Sequence, residues 1–379
     1  EQVYDFVVIR NGEKVVLVTD ESWAMSATAK ASGVIYNDIY NGESIDARMI
    51  DDSWTSTAYT DEREWVKAQK VEFDKSLLIS TINEQVKAQT PIKPIKYIVT
   101  PKGEKVLDFG QNIVGWERVK LQGKAGDTIR IYHAEVLDEN GNFYTTNLRK
   151  AKATSTYIMD GAAKREFVPS LSFYGFRYIK VEGVEGDLCP EDFEAVPVWS
   201  NFDNVGSFTS SNPLINQLQS NIWWGFHDNF LDVPTDCPQR DERLGWTGDA
   251  QVFSPTACYN MDCRAFYRSF LRLLRLDQID HEGSVATCLP RSPGFLSCAI
   301  WSDASAIIPE TLLRFSGSSE EVAAYYDLMR DWVEYALTRC HNYLYDEDQL
   351  GDWLALDGVT SQSFKGGTDD PYLGSVYLM

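Results

Sequence analysis

The sequence predicts a multidomain β + α protein, with β-sandwich modules in its first half and helices in its second half. Three observations support this prediction. The chain has 379 residues, more than one ordinary hydrophobic core requires. Short runs of β-branched and aromatic residues, separated by turn signals, dominate as far as about residue 200. Beyond Trp199, apolar residues recur at helical spacing instead.

The first half contains strand-length runs bounded by glycine turns. The runs are VYDFVVI (3–9), KVVLVT (14–19), IKYIVT (95–100), KVLDFG (105–110), ERVKLQG (117–123) and TIRIYHAEV (128–136). The turn signals are Asn11-Gly12, Lys102-Gly103, Ala125-Gly126, Asn140-Gly141 and Asp160-Gly161. This spacing predicts antiparallel sandwiches, with irregular coverage over 61–90. The proline-marked segment TPIKPIK (90–96) indicates a boundary between two β modules, 1–90 and 91–200.

Helical patterns occupy the remaining segment, 201–379. Asn212 followed by Pro213 predicts an N-cap and a first-turn proline. The apolar stripe of this first helix is Leu214, Leu218, Ile222 and Phe226. A second helix is predicted to open at Asp262, with the apolar face Phe266, Phe270, Leu273 and Leu274. A third covers roughly 303–315, and a fourth, about 320–340, presents Val322, Tyr325, Tyr326, Met329, Val333 and Leu337.

Composition argues against several kinds of partner. The chain has 35 Lys+Arg against 56 Asp+Glu, a net charge of −21 that repels the phosphates of nucleic acid. No apolar run is long enough to span a membrane. The seven cysteines form no CxxC pair and the four histidines are scattered, which predicts free thiols and a reducing compartment. We expect no metal and no cofactor, and a homo-oligomer and a cytoplasmic or periplasmic location stay open.

Three irregular segments between the predicted helices, 231–248, 281–301 and 341–365, combine acids with tryptophans. The candidate site residues are Asp236, Arg240, Glu242, Trp246, Asp249, Trp301 and Trp353. If the helical hairpins stack in a ring, these loops converge at one end of it. We therefore expect the rings of the three tryptophans to line the same cavity as Glu242.

This combination of residue types suits a polyhydroxylated ligand. Hydrolysis of a glycosidic bond needs one carboxylic acid that protonates the departing oxygen and a second carboxylate that activates water or attacks carbon. Glu242 is the candidate acid, the other acids would accept hydroxyl hydrogens, and the tryptophans would form apolar walls. The simpler alternatives are a surface ion-pair network for the charged cluster, core packing for Trp301 and Trp353, and a helix cap for Asp262.

A longer block carries a family resemblance. DVPTDCPQRDERLGWTGDAQVF (232–253) resembles the signature of the bacterial α-L-rhamnosidases of glycoside hydrolase family 78. Further similar blocks, in the family's order, are TDESW (19–23), NDIYNGESIDAR (37–48), DFGQNIVGW (108–116), HAEVLDENGNFYTTNLRKAKATSTY (133–157), YGFRYIKVEG (174–183) and GDWLALDG (351–358). The resemblance covers nearly the whole chain.

The resemblance implies a fold, a reaction and residue roles. β-sandwich modules would precede an (α/α)6-barrel catalytic domain, of which 201–379 would be the first part. The activity would be inverting hydrolysis that releases terminal L-rhamnose from a glycan or glycoside, with Glu242 as general acid. The residues that would bind the sugar are Asp236, Arg240, Trp246, Asp249, Trp301 and Trp353.

The chain departs from the family pattern at its end. The family's catalytic base is a glutamate in the later part of the barrel, which this sequence does not contain. The closing stretch GGTDDPYLGSVYLM starts a helix near Thr368 and stops on an apolar face without a cap. We therefore expect a fragment that is inactive alone, in which Asp303, Asp352 or Asp357 would replace the base weakly. The alternatives are a non-catalytic rhamnose-binding fragment and an (α/α)6 glycosidase for another sugar.

Overall fold

The computed structural model describes residues 5–10, 13–18, 20–25, 32–51, 53, 56–58, 65–294, 297–347, 349–358 and 364–379. Strands dominate this described chain as far as residue 200 and helices dominate after it, which confirms the predicted fold class. The predicted turn at Asn11-Gly12 lies outside the described residues. No helix of the described part is both long and apolar enough to cross a membrane.

The strands before residue 100 are short. They are β1 (Asp5–Arg10), β2 (Glu13–Val18), β3 (Ala24–Met25), β4 (Val34–Asp38), β5 (Gly42–Asp46), β6 (Val66–Lys67), β7 (Val86–Ala88) and β8 (Lys96–Val99). The later strands of the β region are β9 (Lys105–Leu121), β10 (Thr128–Ala134), β11 (Val136–Leu137), β12 (Phe143–Tyr144), β13 (Thr154–Ile158), β14 (Arg165–Phe167), β15 (Tyr174–Glu182) and β16 (Phe193–Ser200).

The long strand β9 organises the main sheet. The strand order is β4-β5-β13-β10-β15-β9-β16-β7, and β8 and β14 also pair with β9. β9 unites KVLDFG and ERVKLQG, which the sequence predicts as separate strands. Gly110 ends the first of these runs with a φ of 75°, and a Cβ at this position would lie 2.7 Å from the side chain of Ile95. A glycine is therefore required where the two halves join.

The core of the β region contains a buried polar network among apolar side chains. The Tyr157 hydroxyl donates to Glu117 at 2.8 Å, and His133 Nε2 lies 2.9 Å from the other Glu117 oxygen. His133 Nδ1 lies 2.8 Å from the carbonyl oxygen of Ala153. Since a carbonyl oxygen only accepts, Nδ1 carries a hydrogen. These three side chains are fully buried, so their hydrogen bonds replace the water that each has lost.

The main sheet extends across the predicted boundary at residue 90. β5 lies parallel to β13, with Ser44 opposite Thr156. Ile45 and Ala47 belong to the same apolar core as the strands after residue 100. The division into 1–90, 91–200 and 201–379 stays a prediction.

The second half is built from helices and two-residue ladders. The helices are α1 (Pro213–Asn229), α2 (Thr247–Asn260), α3 (Arg264–Asp280), α4 (Ala304–Ser316), α5 (Ser319–Ala323), α6 (Tyr326–Leu337) and α7 (Asp370–Leu378). The short strands are β17 (Phe230–Leu231), β18 (Val233–Pro234), β19 (Gly245–Trp246), β20 (Cys288–Leu289), β21 (Cys340–His341) and β22 (Leu344–Tyr345). Asn212 caps α1 as predicted, because its side chain accepts from the Leu214 N–H at 2.9 Å.

Several helical details differ from the sequence prediction. The prediction has no helix at α2, which contains Pro255. The predicted helix over 320–340 is two helices, α5 and α6, and the buried side chains of α6 are Leu328, Trp332 and Ala336. The predicted face was therefore wrong, since Val333 and Leu337 are exposed. The break between α5 and α6 changes the phase of the apolar stripe.

Two other predicted apolar faces are only partly buried. Leu214 and Leu218 of α1 are exposed, whereas Phe226 of the same stripe is buried. Leu273 of α3 is also exposed. Asp262 precedes α3 and accepts from the Arg264 N–H at 3.3 Å, while Cys263 is the capping residue.

Candidate active site

The loop between α1 and α2 forms the centre of the site. β17 and β18 make a tight hairpin directly after α1, with Asp232 between them at a φ of 64°. Thr235 then returns to α1, where its N–H and hydroxyl both donate to the Asn229 carbonyl, at 2.7 and 2.9 Å. Pro234 and Pro238 supply no N–H, so the ladder does not continue through the loop.

Glu242 lies in this loop with donors at both carboxylate oxygens. Arg149 Nη1 and Arg240 Nη2 each lie 3.0 Å from Oε2, and Trp246 Nε1 donates to Oε1 at 3.0 Å. The Tyr40 hydroxyl donates to the backbone carbonyl of Glu242 at 2.9 Å. Only 17% of the Glu242 side chain is exposed, and hydrogen bonds to a charged group are stronger where water is scarce.

Asp236 adjoins Glu242 in the same loop. A carboxylate oxygen of Asp236 lies within 4.8 Å of a carboxylate oxygen of Glu242. Asp236 accepts from the Leu244 N–H at 3.2 Å. Burial raises the pKa of Asp236 to about 7, and hydrogen bonding to Glu242 and its charge add to the increase. Asp236 therefore keeps its proton to a higher pH than an ordinary aspartate does, directly beside the candidate acid.

A cavity of about 610 Å³ opens beside Asp236. Two predicted acids, Asp236 and Asp249, and two predicted tryptophans, Trp301 and Trp353, line it. Trp301 is buried at 7% exposure, whereas Trp353 is 44% exposed. The cavity thus has acidic and aromatic walls, which suit a polyhydroxylated ring.

Local sequence explains how two of these walls form. Gly248 lies in the first turn of α2, against the indole of Trp301, and a Cβ on Gly248 would lie 2.6 Å from Trp301 Nε1. Only glycine therefore allows the ring to pack there. Asp249 follows in the same turn, and burial raises its pKa, with the charge of Glu242 as a further cause.

The seven predicted residues form two adjoining groups. Asp236, Asp249, Trp301 and Trp353 line the cavity. Glu242, Arg240 and Trp246 do not line it and form a cluster held together by hydrogen bonds and ion pairs. Asp236 belongs to both groups because it lies beside Glu242. The ring of Trp246 was expected to form a wall of the cavity. Instead it lies outside the cavity lining, and its indole N–H donates to Glu242.

The three acids proposed as substitutes for the base have different surroundings. Asp303 is buried and accepts hydrogen bonds from Trp332 Nε1 at 2.8 Å and from the Ile300 N–H at 2.6 Å. Burial raises its pKa. Asp352 lines the cavity and accepts from the Thr368 hydroxyl at 2.8 Å. Asp357 is exposed and is not a cavity residue. Of the three, Asp352 is the acid that faces the cavity.

Arg243 anchors the loop to the β region. Its Nη1 donates to the backbone carbonyls of Ile39 and Phe173, and its guanidinium lies 4.6 Å from the centroid of the Phe173 ring. Arg243 has a φ of 57° and is buried, which lowers its pKa to about 10. Burying this cation carries a free-energy penalty, so the contacts across the interface must compensate for it.

The described residues contain one cluster with ligand atoms close enough for a metal ion, formed by Asp236, Cys237 and Glu242. Two guanidinium groups already contact Glu242 there. Burial raises the pKa of the Cys237 thiol to about 12, so the sulfur keeps its hydrogen at neutral pH. The donor set therefore does not favour a cation.

Two residues of the site were missed by the sequence prediction. Arg149 and Tyr40 both belong to the β region, 93 and 202 residues before Glu242. No local pattern connects them to the loop. They lie, however, within NDIYNGESIDAR and HAEVLDENGNFYTTNLRKAKATSTY, two blocks of the family resemblance.

Comparison with known proteins supports the same assignment over the whole chain. The family model for the bacterial alpha-L-rhamnosidase six-hairpin glycosidase domain matches residues 203–379. The model for the concanavalin-like domain of these enzymes matches 98–199, and the model for the alpha-L-rhamnosidase N-terminal domain matches 5–90.

Individual relatives agree with the family models. An alpha-L-rhamnosidase of Formosa agariphila is 34% identical over 98% of this chain, which spans 40% of that protein. The crystal structure of native alpha-L-rhamnosidase from Aspergillus terreus is similar with a TM-score of 0.91 and 34% identity, covering 99% of this chain and 44% of that one. The Streptomyces avermitilis alpha-L-rhamnosidase complexed with L-rhamnose has a TM-score of 0.89 and 31% identity, covering 99% and 36%.

A β-rich region followed by helical hairpins, with acids and tryptophans gathered on the hairpin loops, defines a six-hairpin glycosidase. Within that class, the chain belongs to the bacterial α-L-rhamnosidases of glycoside hydrolase family 78. It spans less than half the length of each of these relatives.

Proposed function

We propose that this chain contributes the acid half of an α-L-rhamnosidase active site, which removes terminal α-L-rhamnose from a glycan or glycoside. The observation that carries the proposal is the position of Glu242 beside Asp236, at the edge of a cavity walled by acids and tryptophans. The substrate class rests on the family and on the relative that is complexed with L-rhamnose.

In the proposed mechanism, the rhamnose ring occupies the cavity and Glu242 protonates the glycosidic oxygen. Asp249 and Asp352 accept hydrogen bonds from ring hydroxyls, and Trp301 and Trp353 pack against the apolar faces of the ring. Arg240 and Trp246 keep the Glu242 carboxyl group in one orientation. A second carboxylate activates water on the opposite side of the ring, and the product anomer is inverted.

The test uses the full-length protein that contains this chain. We expect it to hydrolyse an aryl α-L-rhamnoside and not the corresponding α-D-mannoside, β-D-glucoside or β-D-galactoside. Proton NMR in the first minutes of the reaction should show L-rhamnose appearing as the inverted anomer. Faster turnover of another sugar would contradict the substrate class, and binding of rhamnose without turnover would instead indicate a glycan-binding role.

A further inference from the structure

Glu242 lies between the cavity and the β region. The residues that line the cavity all belong to the helical region, between Gly225 and Tyr377. Asp236 lines the cavity, and its carboxyl oxygen lies within 4.8 Å of that of Glu242. Glu242 also contacts two β-region side chains, since Arg149 contacts its carboxylate and Tyr40 its backbone carbonyl.

The chemistry of glycoside hydrolysis indicates where the leaving group lies relative to Glu242. The general acid protonates the oxygen that joins the sugar to the leaving group, so the leaving group extends from the acid away from the sugar site. We propose that the β region forms the leaving-group subsite of this enzyme, with Arg149 as a specificity-determining residue that binds the hydroxyls of a sugar at that position. This inference rests on the proposed function, because it assumes that Glu242 is the acid.

The backbone around Arg149 is shaped to present its side chain. Arg149 has a φ of 56°, an unfavourable value for a residue with a Cβ, and follows a short turn anchored by the buried Leu148. In that turn, the Asn147 amide donates to Glu135 at 3.0 Å, and Asn112 donates to the other Glu135 oxygen at 3.1 Å. These hydrogen bonds to Glu135 fix the loop, and the Arg149 side chain extends from it to Glu242.

The guanidinium of Arg149 has capacity for a further ligand. Nη1 donates to Glu242 at 3.0 Å, yet 51% of the side chain remains exposed. A guanidinium has five N–H donors and no acceptor, so its remaining donors match the hydroxyl and ring oxygens of a sugar.

The experiment compares two probes that differ only in the leaving-group position. L-rhamnose fills the cavity alone, and a thio-linked rhamnosyl-glucose disaccharide, which resists hydrolysis, fills both positions. Calorimetric titration of the full-length protein that contains this chain should show tighter binding of the disaccharide. In Arg149→Ala, we expect disaccharide affinity to fall by about 10- to 100-fold, the usual effect of losing hydrogen bonds to a charged group. The affinity for L-rhamnose should change less than about twofold by the same reasoning.

Two further variants keep the test decisive. Arg149→Gln, which retains a shorter amide donor, should give an intermediate loss for the disaccharide. Arg118→Ala removes another β-region arginine, paired with Glu194 at 3.1 Å, and should change neither affinity. Retained binding of L-rhamnose by each variant also demonstrates that it is folded.

Several results would overturn the inference. Equal losses for both probes in Arg149→Ala, or no loss for either, would remove Arg149 from the leaving-group position. A wild-type full-length protein that binds L-rhamnose but binds the disaccharide no more tightly has no such subsite. Failure of the wild-type full-length protein to bind L-rhamnose at all is a different result, which overturns the proposed function and this inference with it.

Discussion

The β region and the helical region both bury carboxyl groups, but they surround them differently. Glu117 lies on the central strand of the β region, where His133 and Tyr157 meet its two oxygens. Asp236 and Glu242 lie on an irregular loop, beside a cavity and against two guanidinium groups. The contrast teaches that a buried acid enclosed by regular strands serves the fold, whereas an acid on a loop at a cavity remains available for chemistry.

Non-glycine residues with a strained, positive φ occur in both regions, and several of them lie near the candidate site. In the helical region, the non-glycine residues with positive φ include Asp232 and Arg243 in the loop between α1 and α2, and Ile300 and Leu354 next to the two cavity tryptophans. In the β region, Arg149 has such a φ and contacts Glu242. Strained residues persist where the surroundings determine the conformation, and here several of them adjoin the candidate site.

The largest expected effect tests the functional side of this comparison. In the full-length protein, Glu242→Gln should lower turnover by about 10²–10⁴-fold, because glutamine keeps the shape of the side chain but donates no acidic proton. The loss should grow as the leaving group of an aryl rhamnoside becomes more basic. Steady-state kinetics across such a series measures it, with Glu310→Gln, an exposed ion-pair residue on α4, as the control. Unchanged rates on the poorest leaving group would reject Glu242 as the acid.

The structural side is tested at Glu117. Glu117→Ala should lower the free energy of unfolding by about 3–5 kcal/mol, because it leaves His133 and Tyr157 buried without this partner. Glu117→Gln should lower it much less, since its amide can donate to His133 Nε2 and its carbonyl can accept from Tyr157. Urea unfolding of both variants measures the difference. Equal losses would mean that the negative charge, and not the hydrogen bonds, stabilises this core.

Sequence patterns predicted the helical half of the site better than its β half. RDERLGW (240–246) is a local signal, since Arg240 and Trp246 lie within these seven residues and both contact Glu242. Arg149 and Tyr40 reach Glu242 only because the β region packs on the loop, and no spacing rule encodes that contact. Their residue types are also ordinary for a surface.

Errors in the fold have equally physical causes. α2 was missed because Gly248 and Pro255 disfavour a helix locally, and tertiary packing overrides them. The face of α6 was wrong because the break after Ala323 cannot be seen in a continuous apolar pattern. Strand existence was easier to predict, since β10 alternates buried and less buried positions along Ile129 to His133.

A smaller effect is expected for the two cavity tryptophans, which differ in exposure. Trp353→Ala should weaken binding of L-rhamnose about tenfold through loss of an aromatic wall. Since Trp353 is 44% exposed, its removal should leave thermal stability nearly unchanged, whereas Trp301→Ala should lower both. Calorimetric titration and thermal unfolding measure these properties, and Trp23→Ala, in the β region, is the control. Intact affinity in Trp353→Ala would exclude this ring from the rhamnose site.

The smallest expected effect concerns the joint between the two regions, where Asp228 of α1 accepts from the Val114 N–H of β9 at 2.9 Å. Burial raises the pKa of Asp228 from its ordinary value of 3.8 to about 8. Between these values the folded protein retains a proton that the unfolded chain has released. The resulting stabilisation is complete below about pH 4 and is lost as pH rises through about 8.

Asp228→Asn separates this titration from the hydrogen bond, because an amide oxygen can still accept from the Val114 N–H. Between pH 5 and pH 9, the free energy of unfolding of the wild type should fall relative to that of the variant by at least about 1 kcal/mol. Burial lowers the pKa of the neighbouring His227 to about 4, which gives the opposite slope at lower pH, but His227 is present in both proteins and its contribution cancels. Urea unfolding at a series of pH values measures the difference. Parallel curves would mean that Asp228 is ionised in the folded protein, so that the joint between the regions buries a charge, as the loop between α1 and α2 does with Arg243.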